Sequence, residues 1–209
     1  MKKLLFLILI VSVFILNNCN RCKTIECSEG NTKNRISTVV KKYFYFKTGS
    51  WWVYQNEISL ERDSIYVVKD EYKKFFISEA CECDERIFVR YESTFNDSFF
   101  YSTESYSSPV VVFNRIKYNS SYRDLTYRFT ANDDTLLRLS NTHNAIITFL
   151  PSYKGINEEF KNVYRCFYHK ALTDYLSDSY FAPNVGLIRY QYKNGDASYW
   201  NLINYKVEQ

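Results

Sequence analysis

Glycine, proline, histidine and methionine are scarce in this chain, numbering five, three, two and one among 209 residues. The glycines, Gly30, Gly49, Gly155, Gly186 and Gly195, are too widely spaced to write G-x-G-x-x-G, G-x-x-x-x-G-K-[ST] or G-x-S-x-G. Those motifs need clustered glycines to bring backbone N–H groups or a nucleophile onto a tight turn, so nucleotide loops and the nucleophile elbow are excluded. Two histidines cannot build a three-histidine zinc site, and H-E-x-x-H is absent. Any Ser-His or Cys-His device must use His143, in the polar turn "SNTHNA", or His169. His169 follows Cys166 by three residues in an extended segment, which sets the two side chains on opposite faces. Asp133-Asp134 lack the EF-hand spacing and its glycine, and read as turn formers. Glu158-Glu159 read as a solvated loop or helix start, although a glycosidase pair carries no sequence signature of its own. No catalytic residue, cofactor or metal is expected.

What is present begins with an address. Lys2 and Lys3 precede a run of thirteen residues, Leu4 to Leu16, apolar except for Ser12, the n-region and h-region of an export signal. A lasting membrane span needs about 17–25 apolar residues, so this run is too short for one. Leu16-Asn17-Asn18-Cys19 resembles the lipobox of bacterial lipoproteins, though Asn17 and Asn18 stand where small residues are usual. The resemblance implies acylation of Cys19 and removal of residues 1–18. One acyl chain holds a protein marginally, and two or more anchor it stably. Removing 18 of 209 residues leaves 191, a length that suits one domain or at most two. Lys+Arg falls from 27 to 25 against 23 acids, so the net charge drops from +4 to about +2 and nucleic acid is not an expected partner.

Export places Cys22, Cys27, Cys81, Cys83 and Cys166 in an oxidising setting. The expectation is that Cys22 or Cys27 joins Cys81 or Cys83, pinning the tether to the domain. Cys22-x4-Cys27 with Cys81-x-Cys83 is not a standard zinc spacing. Cys166 reads as a small buried residue.

Residues 19–38 are polar and read as the lipid anchor and a flexible tether, and 39–209 as a single antiparallel β domain. That second part is rich in aromatic residues, with 20 Tyr, 16 Phe and 3 Trp in the whole chain. In "RDLTYRFT" Leu125, Tyr127 and Phe129 alternate with polar residues; in "RIFVRYE" Ile87, Val89 and Tyr91 oppose Phe88, Arg90 and Glu92. Period-two alternation of this kind means strands. Further strands are expected in "WWVYQNEI", "SIYVVK", "KFFISEA", "NAIITFL" and "NVYRCFYHK", and a short helix near "INEEFKN" or "NRISTVVKKY". Asn194-Gly195 suits a two-residue hairpin turn. That turn sets Tyr190 across from Tyr199, with Ile188, Tyr190, Tyr192, Tyr199 and Ile203 as core and Trp200 and Leu202 on the mixed face with Arg189. The expected fold is all-β: an antiparallel, strongly curved sheet, half-barrel or barrel-like, with few short helices.

Two stretches carry a resemblance. "YFYFKTGSWWVYQNE", Tyr43 to Glu57, and "YFAPNVGLIRYQY", Tyr180 to Tyr192, are similar to segments of a loose set of uncharacterised lipid-anchored envelope proteins of the Bacteroidota. Asn184 stands where their segment carries glycine, and Phe46 follows Tyr45 where proline is usual. The resemblance implies a curved antiparallel sheet on the outer membrane, facing the periplasm or the outside. It transfers no catalytic residue.

With the anchor and the aromatic strands, the expected role is a non-enzymatic binding domain for an apolar ligand, a glycan or a partner protein. Trp51, Trp52 and Trp200 are its candidate binding aromatics, since indole offers a flat stacking face. The alternatives are a structural or assembly subunit of an outer-membrane complex and a carboxylate-dependent envelope hydrolase. A deep apolar cleft inside the sheet favours the first, an exposed aromatic patch over a closed core the second, and convergent carboxylates held protonated the third.

Overall fold

The computed structural model describes residues 26–28, 32–77, 82–94, 100–106, 110–118, 121–132, 135–138, 145–168, 176–192 and 198–209, with backbone alone between 100 and 138. The order is β1 (Thr32–Asn34), α1 (Thr38–Phe44), β2 (Trp51–Asn56), β3 (Arg62–Ile77), β4 (Glu82–Ser93), β5 (Phe100–Tyr106), β6 (Val110–Tyr118), β7 (Ser121–Asn132), β8 (Thr135–Arg138), β9 (Ala145–Lys154), β10 (Glu159–Tyr168), β11 (Leu176–Ala182), β12 (Gly186–Tyr192) and β13 (Tyr199–Lys206). All strands belong to one sheet. The strands β2 to β8 form one antiparallel meander and β9 to β13 a second, joined by the pairing of β2 with β13. Among the described strands only β1 runs parallel to its neighbour, β4.

This order forces curvature. Laid flat, the eleven strand spacings from β8 to β9 would measure about 53 Å. The chain from Arg138 to Ala145 spans seven residue steps, which reach at most about 25 Å. The sheet therefore curls into a half-barrel that brings its two edges round, and α1 packs inside it against β12 and β8. β8 and β9 are the unpaired ends of the strand order, so the half-barrel is open. Pro151 sits in β9, an edge strand, where a missing N–H removes no ladder bond on the open side.

The inner face follows the alternation. On β2 the buried residues are Trp52, Tyr54 and Asn56; on β4 they are Cys83, Glu85, Ile87, Val89, Tyr91 and Ser93. Ile87, Val89 and Tyr91 thus face inward as the alternation of "RIFVRYE" predicts. "SIYVVK" and "KFFISEA" are one strand rather than two, because β3 runs unbroken for 16 residues with a register shift between Val67 and Lys69. "INEEFKN" enters β10 after a turn, while the second expected helix is α1. Ser37 caps α1, its Oγ accepting from the Val39 N–H at 3.1 Å. At seven residues α1 is too short to stand alone. Packing holds it: Phe44 meets Phe181 at 5.3 Å between ring centroids, and Tyr43 meets Tyr164 edge-on at 5.5 Å.

The fold starts earlier than Val39. Cys27 is bonded to Cys83, with 5.7 Å between their Cα atoms, and Ile36 is buried in the core. The buried Glu85 carboxylate accepts from the Ile36 N–H at 2.8 Å and lies 3.6 Å from Lys41 Nζ. Cys27 and residues 32–36 are thus held on β4 where a flexible tether is expected, because Ile36 gains burial and Glu85 gains partners there. Cys27–Cys83 is one of the expected bridges; Cys19, Cys22 and Cys81 lie outside the described residues, and Cys166 is a buried free thiol.

The C-terminal hairpin corrects another expectation. Tyr190 pairs with Trp200 and Arg189 with Asn201, one residue out of the register that a two-residue turn at Asn194-Gly195 sets. A one-residue slip exchanges the faces of a strand. Trp200 and Leu202 therefore join the core, and Tyr199 and Ile203 point outward. The Trp200 indole stacked on Tyr190 buries more apolar surface than Tyr199 offers, so packing overrides the turn. The turn residues themselves lie outside the described residues.

The two stretches that carry the resemblance meet in space. Trp52 Nε1 donates to the Val185 carbonyl at 2.5 Å, and the Tyr54 hydroxyl to the Leu187 carbonyl at 2.6 Å. Phe46 packs edge-on against Trp52 at 5.2 Å and lies over Gly186 so closely that a Cβ there would come within 2.8 Å of its ring. Gly186 has φ +85° as well, so this position needs glycine twice over. Asn184, with φ 60°, takes the left-handed conformation that asparagine tolerates best after glycine.

Candidate functional site

Inside the half-barrel Val40, Phe46, Tyr54, Ile87, Phe181, Ile188 and Tyr190 are almost wholly buried, and the described side chains leave no apolar cleft among themselves. Trp52 and Trp200 are core residues at 2% and 4% exposure and offer no stacking face. Trp51, on the outer face of β2, is half-buried. The three indoles thus do not come together as a site.

The outer face is different. Facing pairs carry one row across the second meander and into the first: Arg165 with Tyr180, Tyr180 with Arg189, Arg189 with Asn201, Asn201 with Gln55. Above this row the turns β2–β3 and β9–β10 stand up and enclose a groove of about 380 Å³. Its floor is Gln55, Tyr153, Arg189 and Asn201; Glu57, Leu60 and Ile156 form its rim. Asn56 shapes one wall through its Oδ1, which accepts from the Ile58 and Ser59 N–H groups at 2.9 Å each.

Arg189 is held from three sides. Its guanidinium lies 3.6 Å from the centroid of the Tyr199 ring, a cation–π contact, and its Nη1 donates to the Tyr153 hydroxyl at 2.7 Å. Glu57 stands 3.5 Å from Nη2 and uses its other oxygen to accept the Tyr199 N–H at 3.1 Å. The buried Nε has no hydrogen-bond partner among the described residues.

Below lies a buried acid. Asp178, with no exposed surface, receives Arg165 Nε and Nη2 at 3.0 and 2.7 Å and the Tyr199 hydroxyl at 2.9 Å. Such a fork removes the penalty that a lone buried carboxylate would carry. The hydrogen bond to Asp178 raises the Arg165 pKa, and Tyr199 is raised by burial first and then by Asp178. Burial, with Asp178 beside it, pushes the Tyr180 hydroxyl up to about 12. Tyr43 and Tyr164 are raised chiefly by burial.

These shifts make stability depend on pH in one direction. A tyrosine whose folded pKa lies above its unfolded value of 10.0 contributes fully below pH 10. That contribution is lost as pH rises from about 10 towards the raised value, because only the unfolded chain has ionised. The urea midpoint is expected to hold steady to about pH 9.5 and then fall. A midpoint unchanged above pH 10.5 would refute the burial of these hydroxyls.

Elsewhere on the outer face, Lys69, Glu71, Lys73, Arg86 and Phe88 line a hollow of about 280 Å³. Hydrogen bonds from Lys69 and Lys73 hold Glu71 down at about 2, so the two lysines are already occupied. Glu159 of the expected acidic pair is held low by a hydrogen bond from Lys161 at 2.6 Å, whereas a general acid needs the opposite shift. His143, His169 and Asp133-Asp134 lie outside the described residues. Among the described residues no group of three His, Cys, Asp or Glu is placed to hold a metal, and no helix is long and apolar enough to cross a membrane.

The sequence reading missed Gln55, Glu57, Tyr153 and Asn201 because they are polar or aromatic residues of ordinary type on three separate hairpins. Arg189 carried one signal, its place on the mixed face of the C-terminal hairpin. Comparison with protein-family models, curated proteins and solved structures finds no match to this chain.

Proposed function

We propose that this chain is a lipid-anchored envelope domain that binds a glycan in the outer-face groove without acting on it. The observation that carries the reading is Arg189, fixed between Tyr199, Tyr153 and Glu57 on the floor of an open polar groove. Side chains locked before a ligand arrives lose little entropy on binding. Gln55, Asn201 and Glu57 offer planar donors and acceptors suited to hydroxyl groups, and Leu60 and Ile156 suit the apolar face of a sugar ring. Among the described residues the interior is filled, which favours the outer groove over a ligand within the sheet.

Isothermal titration of the acylated protein against a panel of neutral and acidic oligosaccharides tests this. One class should bind, and Arg189→Ala should weaken it at least tenfold, since a charge-assisted hydrogen bond is worth about 1.5–3 kcal/mol. Absence of binding across the panel, or equal binding by the variant, would defeat the reading.

One observation favours docking of an envelope protein instead. Ile58, Leu60 and Ile156 are 67%, 64% and 57% exposed around the groove mouth. If they serve an assembly contact, Leu60→Asp abolishes co-purification of a specific envelope subunit and leaves oligosaccharide titrations silent.

A further inference from the structure

The glycan reading and the lipid anchor, both taken from the proposal above, combine with the strand register to give the groove a direction. Cys27 is bonded to Cys83, which pairs with Phe76 near the far end of β3. From there β1 runs parallel to β4, with Thr32 beside Cys83 and Asn34 beside Asp84, so the chain enters the sheet at the β3–β4 hairpin end. The opposite end of β3 is Arg62, which pairs with Gln55 on the floor of the groove and follows directly on the turn that forms its rim. The fourteen residue steps from Arg62 to Phe76 correspond to about 45 Å of strand.

Cys19 and Cys27 are eight residue steps apart, which reach at most about 28 Å. That leash is shorter than the strand separating its attachment from the groove. We infer that the groove is carried on the end of the sheet remote from its own bilayer, and that it takes a ligand presented from the opposite side. The partner is then a carbohydrate chain outside the anchoring leaflet, not the headgroup of a lipid within it. The disulfide is the pivot: it fixes the point of entry at Cys83, which neither β1, a three-residue strand, nor the tether would do alone.

The test uses the full acylated chain reconstituted in phosphatidylcholine vesicles that carry an acceptor-labelled lipid. A fluorescent unnatural amino acid is placed at Lys73 in one sample and at Ser59 in another, both exposed positions, near the pivot and beside the groove respectively. Energy transfer to the bilayer should be at least threefold stronger from position 73. Vesicle association with equal transfer, or stronger transfer from position 59, would overturn the inference while leaving the anchor intact. Failure to associate with vesicles would remove the anchor and the inference together. Oligosaccharide titration of the unlabelled acylated chain in the same vesicles reads the glycan proposal separately, since a groove that points away from the bilayer still has to bind.

Discussion

Trp52→Ala is expected to destabilise the domain by about 4 kcal/mol, within the usual range for deleting a buried large aromatic side chain. Trp52 is 2% exposed, packs on Phe46 at 5.2 Å and Tyr91 at 5.7 Å, and donates to the Val185 carbonyl. Removing it empties the contact between the two stretches and leaves that carbonyl without its partner, so loss of packing and an unmade hydrogen bond add. For a domain of this size each kcal/mol lowers the melting temperature by about 2–4 °C, so the loss should be about 8–16 °C. Trp51→Ala is the control. Its neighbour in sequence points outward and is half-buried, so the cost should be about half or less. Equal losses for the two variants in thermal and urea unfolding would mean that the inward and outward faces of β2 are wrongly assigned.

Breaking the Cys27–Cys83 bridge should have an effect of similar size. The cysteines are 56 residues apart, and closing a loop of that length removes unfolded-state entropy worth about 4 kcal/mol in the chain-entropy description. The double variant Cys27→Ser/Cys83→Ser avoids an unpaired thiol and is the cleaner measurement. Its urea midpoint should drop clearly below that of the oxidised parent, and a reductant should move the parent to the same value. Because Thr32–Asn34 hold only a short parallel ladder on β4, amide exchange there should rise more than in β12 or β13. An unshifted midpoint, or exchange raised uniformly, would show that the bridge does not hold the N-terminal segment on the sheet.

How much of this was legible in the chain depends on distance. The inward set on β4 followed from alternation in seven consecutive residues, whereas α1 was only one of two stretches read as a short helix, and the other enters β10. The β12–β13 register did not follow, because a good turn pair spoke for one register and the burial of Trp200 for the other. Deciding between them requires knowing that Tyr54 and Tyr190 already stand edge-on at 4.9 Å beneath that indole. The tether boundary failed for a related reason. Cys27 and Ile36 stand in a stretch that looks solvated in isolation, and Cys83 and Glu85, about fifty residues later, hold them.

The groove shows the same division. Gln55, Tyr153, Arg189 and Asn201 come from β2, β9, β12 and β13, and nothing local marks them as companions. Alternation of aromatic and polar residues was enough to determine that the chain makes strands, since side-chain direction in an extended segment is a matter of neighbouring residues alone. The shortage of glycine and histidine was likewise enough to remove whole classes of chemistry. The tertiary structure alone decided which residue each strand faces, that β2 closes on β13, which cysteine Cys27 finds and where an arginine is held open to solvent. Those choices are made by surface buried between segments far apart in the chain, and such burial has no period that a linear reading can detect.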